Sequence, residues 1–142
     1  MRTQIPVRKM MNFKHCLLAF VMLIAPPAWA DWEFVSKGES GNEFFIDYQT
    51  IRKDGNRIKV WQLTNFATPL RPKGLEIYSF LSRYEIDCKQ EQTRVLTIRA
   101  YPRPNANGTL VLAEDVVGNW YDIAPKTVEW EINQSVCKAP AR

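Results

Sequence analysis

The sequence predicts an α+β fold: a small antiparallel β-sheet of about six strands, an α-helix near the C-terminus and one disulfide. Three observations carry this. Runs of β-branched and aromatic residues are separated by short Gly, Asn, Asp and Pro turns, and strands so close in sequence pair antiparallel, because a parallel pair needs a long crossover. Val128, Ile132 and Val136 fall on an i, i+4, i+8 stripe. Two cysteines, Cys88 and Cys137, remain once the first thirty residues are set aside.

Those thirty residues read as a cleavable signal peptide. A basic stretch (Arg2, Arg8, Lys9, Lys14) precedes the apolar run Cys16–Ala25, then Pro26-Pro27 and the small-residue pattern Ala28-Trp29-Ala30. A membrane span needs roughly 20 apolar residues, twice what the prolines allow here. Cleavage is expected between Ala30 and Asp31, leaving one domain over residues 31–142 that does not span the membrane. Lipid anchoring requires a cysteine at the cleavage point. Cys16 instead opens the apolar run, so the expected product is exported, periplasmic or secreted to the cell surface, and not lipid-anchored.

Cleavage also changes the chemistry. The chain holds 19 basic and 15 acidic residues, and the leader takes four of the basic ones, which leaves the remainder formally neutral. The basic balance is therefore a targeting feature, and no net field draws the domain to nucleic acid. His15, the one histidine, leaves too. That removes His-dependent nucleophilic triads and the commonest zinc-ligand sets, and no cofactor or metal is expected. In an oxidising compartment Cys88 and Cys137 read as a structural bridge; no C-x-x-C spacing suggests redox chemistry.

Taken in order, Trp32–Val35 and Glu43–Asp47 are short strand candidates around the polar turn 36–42. Asp54-Gly55-Asn56 is a hairpin signal, followed by an alternating strand 57–66 with Ile58, Val60 and Gln62 on one face and Trp61 and Leu63 on the other. After a Pro/Gly loop at 68–74 comes the longest strand candidate, 75–88. Its Tyr78, Phe80, Tyr84, Ile86 and Cys88 share the core side, and Ser79, Arg83, Glu85 and Asp87 point away. Residues 93–101 form a further strand in which Leu96, Ile98 and Ala100 alternate with Val95, Thr97 and Arg99. A Pro/Asn/Gly loop at 102–108 leads to a strand at 109–113. Val128, Trp130 and Ile132 also alternate as a strand would. Pro125, Thr127, Glu129 and Glu131 suit a helix start, and helix is the reading adopted.

These residues resemble the surface-adhesin protein E-like domain family of Gram-negative bacteria over nearly all of 32–137. The resemblance rests on Trp32, Phe45-Ile46-Asp47, Thr50-Ile51-Arg52-Lys53-Asp54-Gly55, Val60-Trp61-Gln62-Leu63, Ser79, Asp87-Cys88, Tyr101, Trp120 with Pro125, and Cys137. It implies an antiparallel sheet packed on a C-terminal helix, a Cys88–Cys137 disulfide, and a non-catalytic adhesin at the cell surface that binds extracellular-matrix protein. The family's adhesin is lipid-anchored, a feature this sequence lacks. The alternative is a soluble periplasmic inhibitor or envelope-maintenance factor.

Site candidates each have a plainer role beside the functional one. Arg52, Lys53, Arg57 and Lys59 surround the Asp54-Gly55 turn and offer a basic binding patch, or merely a solvated hairpin tip. Trp61 and Trp120 suit ligand stacking or, more commonly, core or half-core packing. Glu85 with Asp87, or Glu114 with Asp115, would be needed for a carboxylate-dependent hydrolase; a solvated charged face is the simpler account, and no enzyme is expected. Asp47 is read as a turn-bonding residue. The triplets at Asn107 and Asn133 match a glycosylation pattern and carry no assigned function. An edge strand leaves room for a homodimer.

Overall fold

The computed structural model describes residues 30–140, so the expected leader lies outside them apart from Ala30. Alternation along the strands sorts side chains onto two faces of one antiparallel sheet. Its elements are β1 (Trp32–Lys37), β2 (Glu43–Asp54), β3 (Arg57–Leu70), β4 (Ile77–Asp87), β5 (Gln92–Tyr101) and β6 (Leu112–Glu114), hydrogen-bonded in that order. The two-residue β7 (Tyr121–Asp122) also pairs with β5, and α1 (Val128–Lys138) closes the described chain.

The hairpin at Asp54-Gly55-Asn56 forms as expected: Asp54 opposes Arg57, and Gly55 takes φ +58°, where a side chain would be strained. Strand β2 is longer than the expected 43–47. Its ladder to β3 breaks between Asp47 and Arg52 and then resumes. Asp47 makes the break possible by accepting from the Gln49 N–H (3.0 Å). Thr50 donates its hydroxyl to the Asp47 carbonyl (2.6 Å) and accepts from the Trp61 N–H (3.0 Å), so a side chain replaces the interrupted ladder bond.

Other boundaries move as well. Strand β3, not β4, is the longest, because it runs on through the expected loop to Leu70; β4 starts at Ile77 after a short 3₁₀ turn. The β6 strand is shorter and later than expected. In β5 the partners jump from Arg83–Thr97 to Tyr84–Val95, leaving Leu96 as an extra residue. That bulge overturns the simple alternation expected there: Val95 and Ile98 now oppose Tyr84 and Ser82, on one face.

The main core lies on that face. Ile46, Ile51, Ile58, Val60 and Ile86 from the sheet meet Ile132 and Val136 of α1, which is the helical stripe read from the sequence. Thr127 caps the helix by accepting from the Trp130 N–H (3.2 Å), with Glu129 and Glu131 in the first turn. The Ser36 hydroxyl bonds the Glu131 carboxylate, tying α1 to β1. At the other end Lys53 donates to the Ala139 carbonyl (2.5 Å), beside the negative end of the helix dipole.

Cys88, just past β4, is bonded to Cys137 in the last helical turn, across 49 residues of sequence. Loop-closure entropy for that span is worth about 4 kcal/mol. A Cys88→Ser/Cys137→Ser double variant is therefore expected to melt more than about 10 °C lower than the oxidised protein. Differential scanning calorimetry with and without reductant reads this, and coincident melts would refute it.

Candidate functional site

The face of the sheet opposite α1 carries cross-strand rows set by the register. At the hairpin end, Arg57 opposes Asp87, and Lys59 opposes Glu85, which opposes Arg94 in β5. The next row is Trp32, Asp47, Trp61, Arg83 and Thr97, and beyond it come Phe34, Phe45, Leu63, Leu81 and Arg99. At the far end Ser79, fully buried, donates to the Arg103 carbonyl (2.6 Å) and accepts from the Ala106 N–H (3.0 Å). Asn65 and Asn105 exchange two bonds of 2.8 Å. These contacts hold Asn105 and Ala106 at positive φ, and the 102–108 loop caps this end of the face.

Glu85 corrects the expectation of a solvated carboxylate. Its side chain is 7% exposed and is gripped by Arg94, through Nη2 at 2.5 Å and Nε at 2.8 Å, with Lys59 at 4.0 Å. Trp120, half-buried, lies against the guanidiniums of Arg94 (4.5 Å to the ring centroid) and Arg57 (5.4 Å). Trp61 and Trp120 are both half-buried and stand outside the main core cluster, on the face opposite α1. Phe34 is 57% exposed and meets Phe45 edge-on at 5.7 Å. The result is an open face of aromatic and arginine side chains, the types that dominate binding hot spots.

The basic patch is divided. Arg52, Arg57 and Lys59 share the open face, with Arg52 directly opposite Lys59, whereas Lys53 lies on the helix side. Arg57 faces Asp87 at 3.8 Å. The carboxylates considered for hydrolysis do not converge freely: Glu85 belongs to Arg94. Asp115 is held by Arg99 at 2.8 Å and by Thr97 at 3.0 Å, bonds that keep its carboxyl below the usual range. Among the described residues no His, Cys, Asp and Glu cluster suits a metal, and no helix is long and apolar enough to cross a membrane. Asn133 is buried against the sheet, so its triplet presents no accessible acceptor.

On the helix side, a cleft of about 220 Å³ opens beside the first turn of α1. Sequence reading missed it, because its walls come from five strands and the helix. Burial pushes the Tyr84 phenol at its edge up to about 12, with Tyr121 adding to the shift and a bond to Ser82 opposing it. Burial also raises Tyr121, aided by Glu129.

A disulfide-stapled sheet with one helix and one open aromatic–basic face defines a small α+β binding domain. The chain belongs to the surface-adhesin protein E family, whose model matches residues 32–138. Solved structures of Haemophilus influenzae protein E share the fold. One from a non-typeable strain has TM-score 0.57 and 15% identity, covering 80% of this chain and 81% of that one. Two others score 0.59 at 16% identity and 0.60 at 15%, covering 80% of this chain and 94% and 92% of theirs. Comparison with curated proteins found no match. Nothing in the matches supports the periplasmic inhibitor or maintenance factor.

Two outcomes follow from this geometry. Arg94→Ala strands the buried Glu85 carboxylate and is expected to cost about 3–5 kcal/mol in urea unfolding, whereas Lys59→Ala costs under about 1 kcal/mol. Equal effects would refute the assignment. Tyr84, whose folded pKa exceeds the unfolded value of about 10, keeps its proton when the unfolded chain has lost it. Its contribution is complete below pH 10 and is lost as pH rises to about 12, on the order of 2 kcal/mol after allowance for residual exposure. Tyr84→Phe should flatten the stability–pH curve in that window.

Proposed function

We propose that residues 31–142 are the mature domain, released by cleavage between Ala30 and Asp31. It acts without catalysis or cofactor as a cell-surface module binding an extracellular-matrix protein. The observation that carries this reading is the open face within a family of surface adhesins. Its rows place Phe34 and Trp61 on paired backbone, and Trp120, in the strap before β7, is seated against Arg94 and Arg57, so a partner meets anchors that need little ordering on binding. At the hairpin end the like charges of Arg52 and Lys59, directly opposed, cost energy in the free protein. An acidic segment of the partner relieves that cost, which favours Arg52, Arg57 and Lys59 as its contact. Lys53, bonded to the helix end, takes no part.

The ion-paired state of Glu85 and Asp115 supports a non-enzyme, since a general acid or base must be free to exchange its proton with substrate. Strand β1 is at the sheet's edge, so two copies can also pair along it as a homodimer.

Protease treatment of intact cells, read against a periplasmic marker, tests the location: the surface reading expects degradation, and protection overturns it. Binding to immobilised matrix proteins tests the face. Phe34→Ser and Trp61→Ala should each weaken binding about tenfold or more, with the Phe34→Ser melting point unchanged. Unaltered binding by both variants would remove the open face from the proposal.

A further inference from the structure

Six paired strands span about 25–30 Å, and a helix is about 10 Å wide, so α1 covers only part of its face. It packs on β1, β2 and β3. The remaining width is not filled by a second helix. Phe66, Phe80, Tyr84 and Tyr121 stand around an opening walled on the helix side by Ile132 and Glu129.

Its polar groups are few and deep. Gln62 and Thr64, 8% and 7% exposed, share one bond from Gln62 Nε2 to Thr64 Oγ1 (3.1 Å). That bond uses one of the amide's two N–H groups and leaves its carbonyl oxygen for a guest. A single charged side chain lines the cleft: Glu129, exposed and in the first helical turn. An apolar enclosure with a few buried polar groups is the usual form of a small-molecule site. An apolar cavity of about 150 Å³ holds benzene, so the larger volume here suits a fused ring.

We propose that this cleft binds a small ring-bearing molecule, neutral or cationic, about the size of indole. Its ring lies among the aromatic walls, and its polar atom meets Gln62 and Thr64. The charge preference follows from the lining: an anion entering would lose its hydration, find no cation and face the Glu129 carboxylate. The depth of Gln62 and Thr64 favours a free small molecule over a side chain still attached to a polypeptide, whose backbone would stop at the mouth.

Indole, tryptamine and indole-3-acetate form a matched neutral, cationic and anionic series. Each is titrated into the exported, disulfide-intact chain, and amide NMR spectra are recorded. Indole and tryptamine are expected to shift the Gln62 side-chain amide and the signals of Tyr84 and Tyr121 saturably, at least about tenfold more tightly than indole-3-acetate. Thr64→Leu fills the floor and should weaken indole at least about tenfold. Glu129→Gln, an exposed change that leaves folding intact, should narrow the preference for tryptamine over indole-3-acetate to under about threefold. Failure of all three probes to bind at millimolar concentration overturns the proposal, as do shifts mapping to Trp61 and Trp120. Binding of a tryptophan-bearing peptide here without binding of indole overturns the small-molecule assignment, and an unchanged preference in Glu129→Gln overturns the role of charge.

Discussion

The attachment of α1 to the sheet is the constraint on which the rest depends. An 11-residue helix is too short to persist alone in water. Here it is fixed at both ends and along one side. Thr127 caps its start, Cys137 is bonded to Cys88 near its end, and Ile132 and Val136 close the core over Ile46, Ile58 and Val60. Because Cys88 follows β4 directly, the bridge also fixes which face the helix covers. Both candidate sites are consequences of that choice: one is the face left uncovered, and the other is the width the helix fails to fill.

An uncovered sheet face would ordinarily be polar. This one keeps Leu63 almost fully buried, with Phe45 and Leu81 as its partners in the paired register. The hairpin end is handled differently, with Glu85 and Arg94 forming a nearly buried ion pair beside Trp120. Such a pair contributes little net stability, since desolvation offsets attraction, but it fixes geometry. Arg94 is held in place by Glu85, so the indole of Trp120 has a defined seat. Gly118 lets the strap carrying that tryptophan approach closely: its N–H bonds the Val95 carbonyl at 2.8 Å, and a Cβ there would come within 3.1 Å of the Val95 side chain.

What was legible in the sequence was whatever depended on local pattern. The parity of β3 and β4, the Asp54-Gly55 turn, the Val128–Ile132–Val136 stripe and the Cys88–Cys137 pair all express periodicity or composition within a short window. Strand continuity was less legible. A break such as that after Asp47 looks like a strand end, and only Thr50, bonding across to Trp61, shows that the strand resumes. The Leu96 bulge is silent in sequence for the same reason, because it is defined by the partner strand. Glu85 read as solvated because its burial comes from Arg94, nine residues away in sequence. The open-face rows gather residues from five strands, and the cleft gathers residues from nearly every element, so neither has a motif.

Ser79 shows how a single residue can matter without a pattern around it. It was one isolated position in the resemblance, with no chemistry of its own to read. In the fold its hydroxyl both donates to Arg103 and accepts from Ala106, and that pair of bonds offsets two consecutive left-handed residues. The loop so held closes the far end of the open face, while the Glu85–Arg94 pair orders the near end. A binding surface built this way is rigid between two polar clamps, with Phe34 and Trp61 on paired strands and Trp120 on a strap seated against Arg94. Affinity then depends on what the partner presents to Phe34, Trp61 and Trp120, because the domain itself has little left to order.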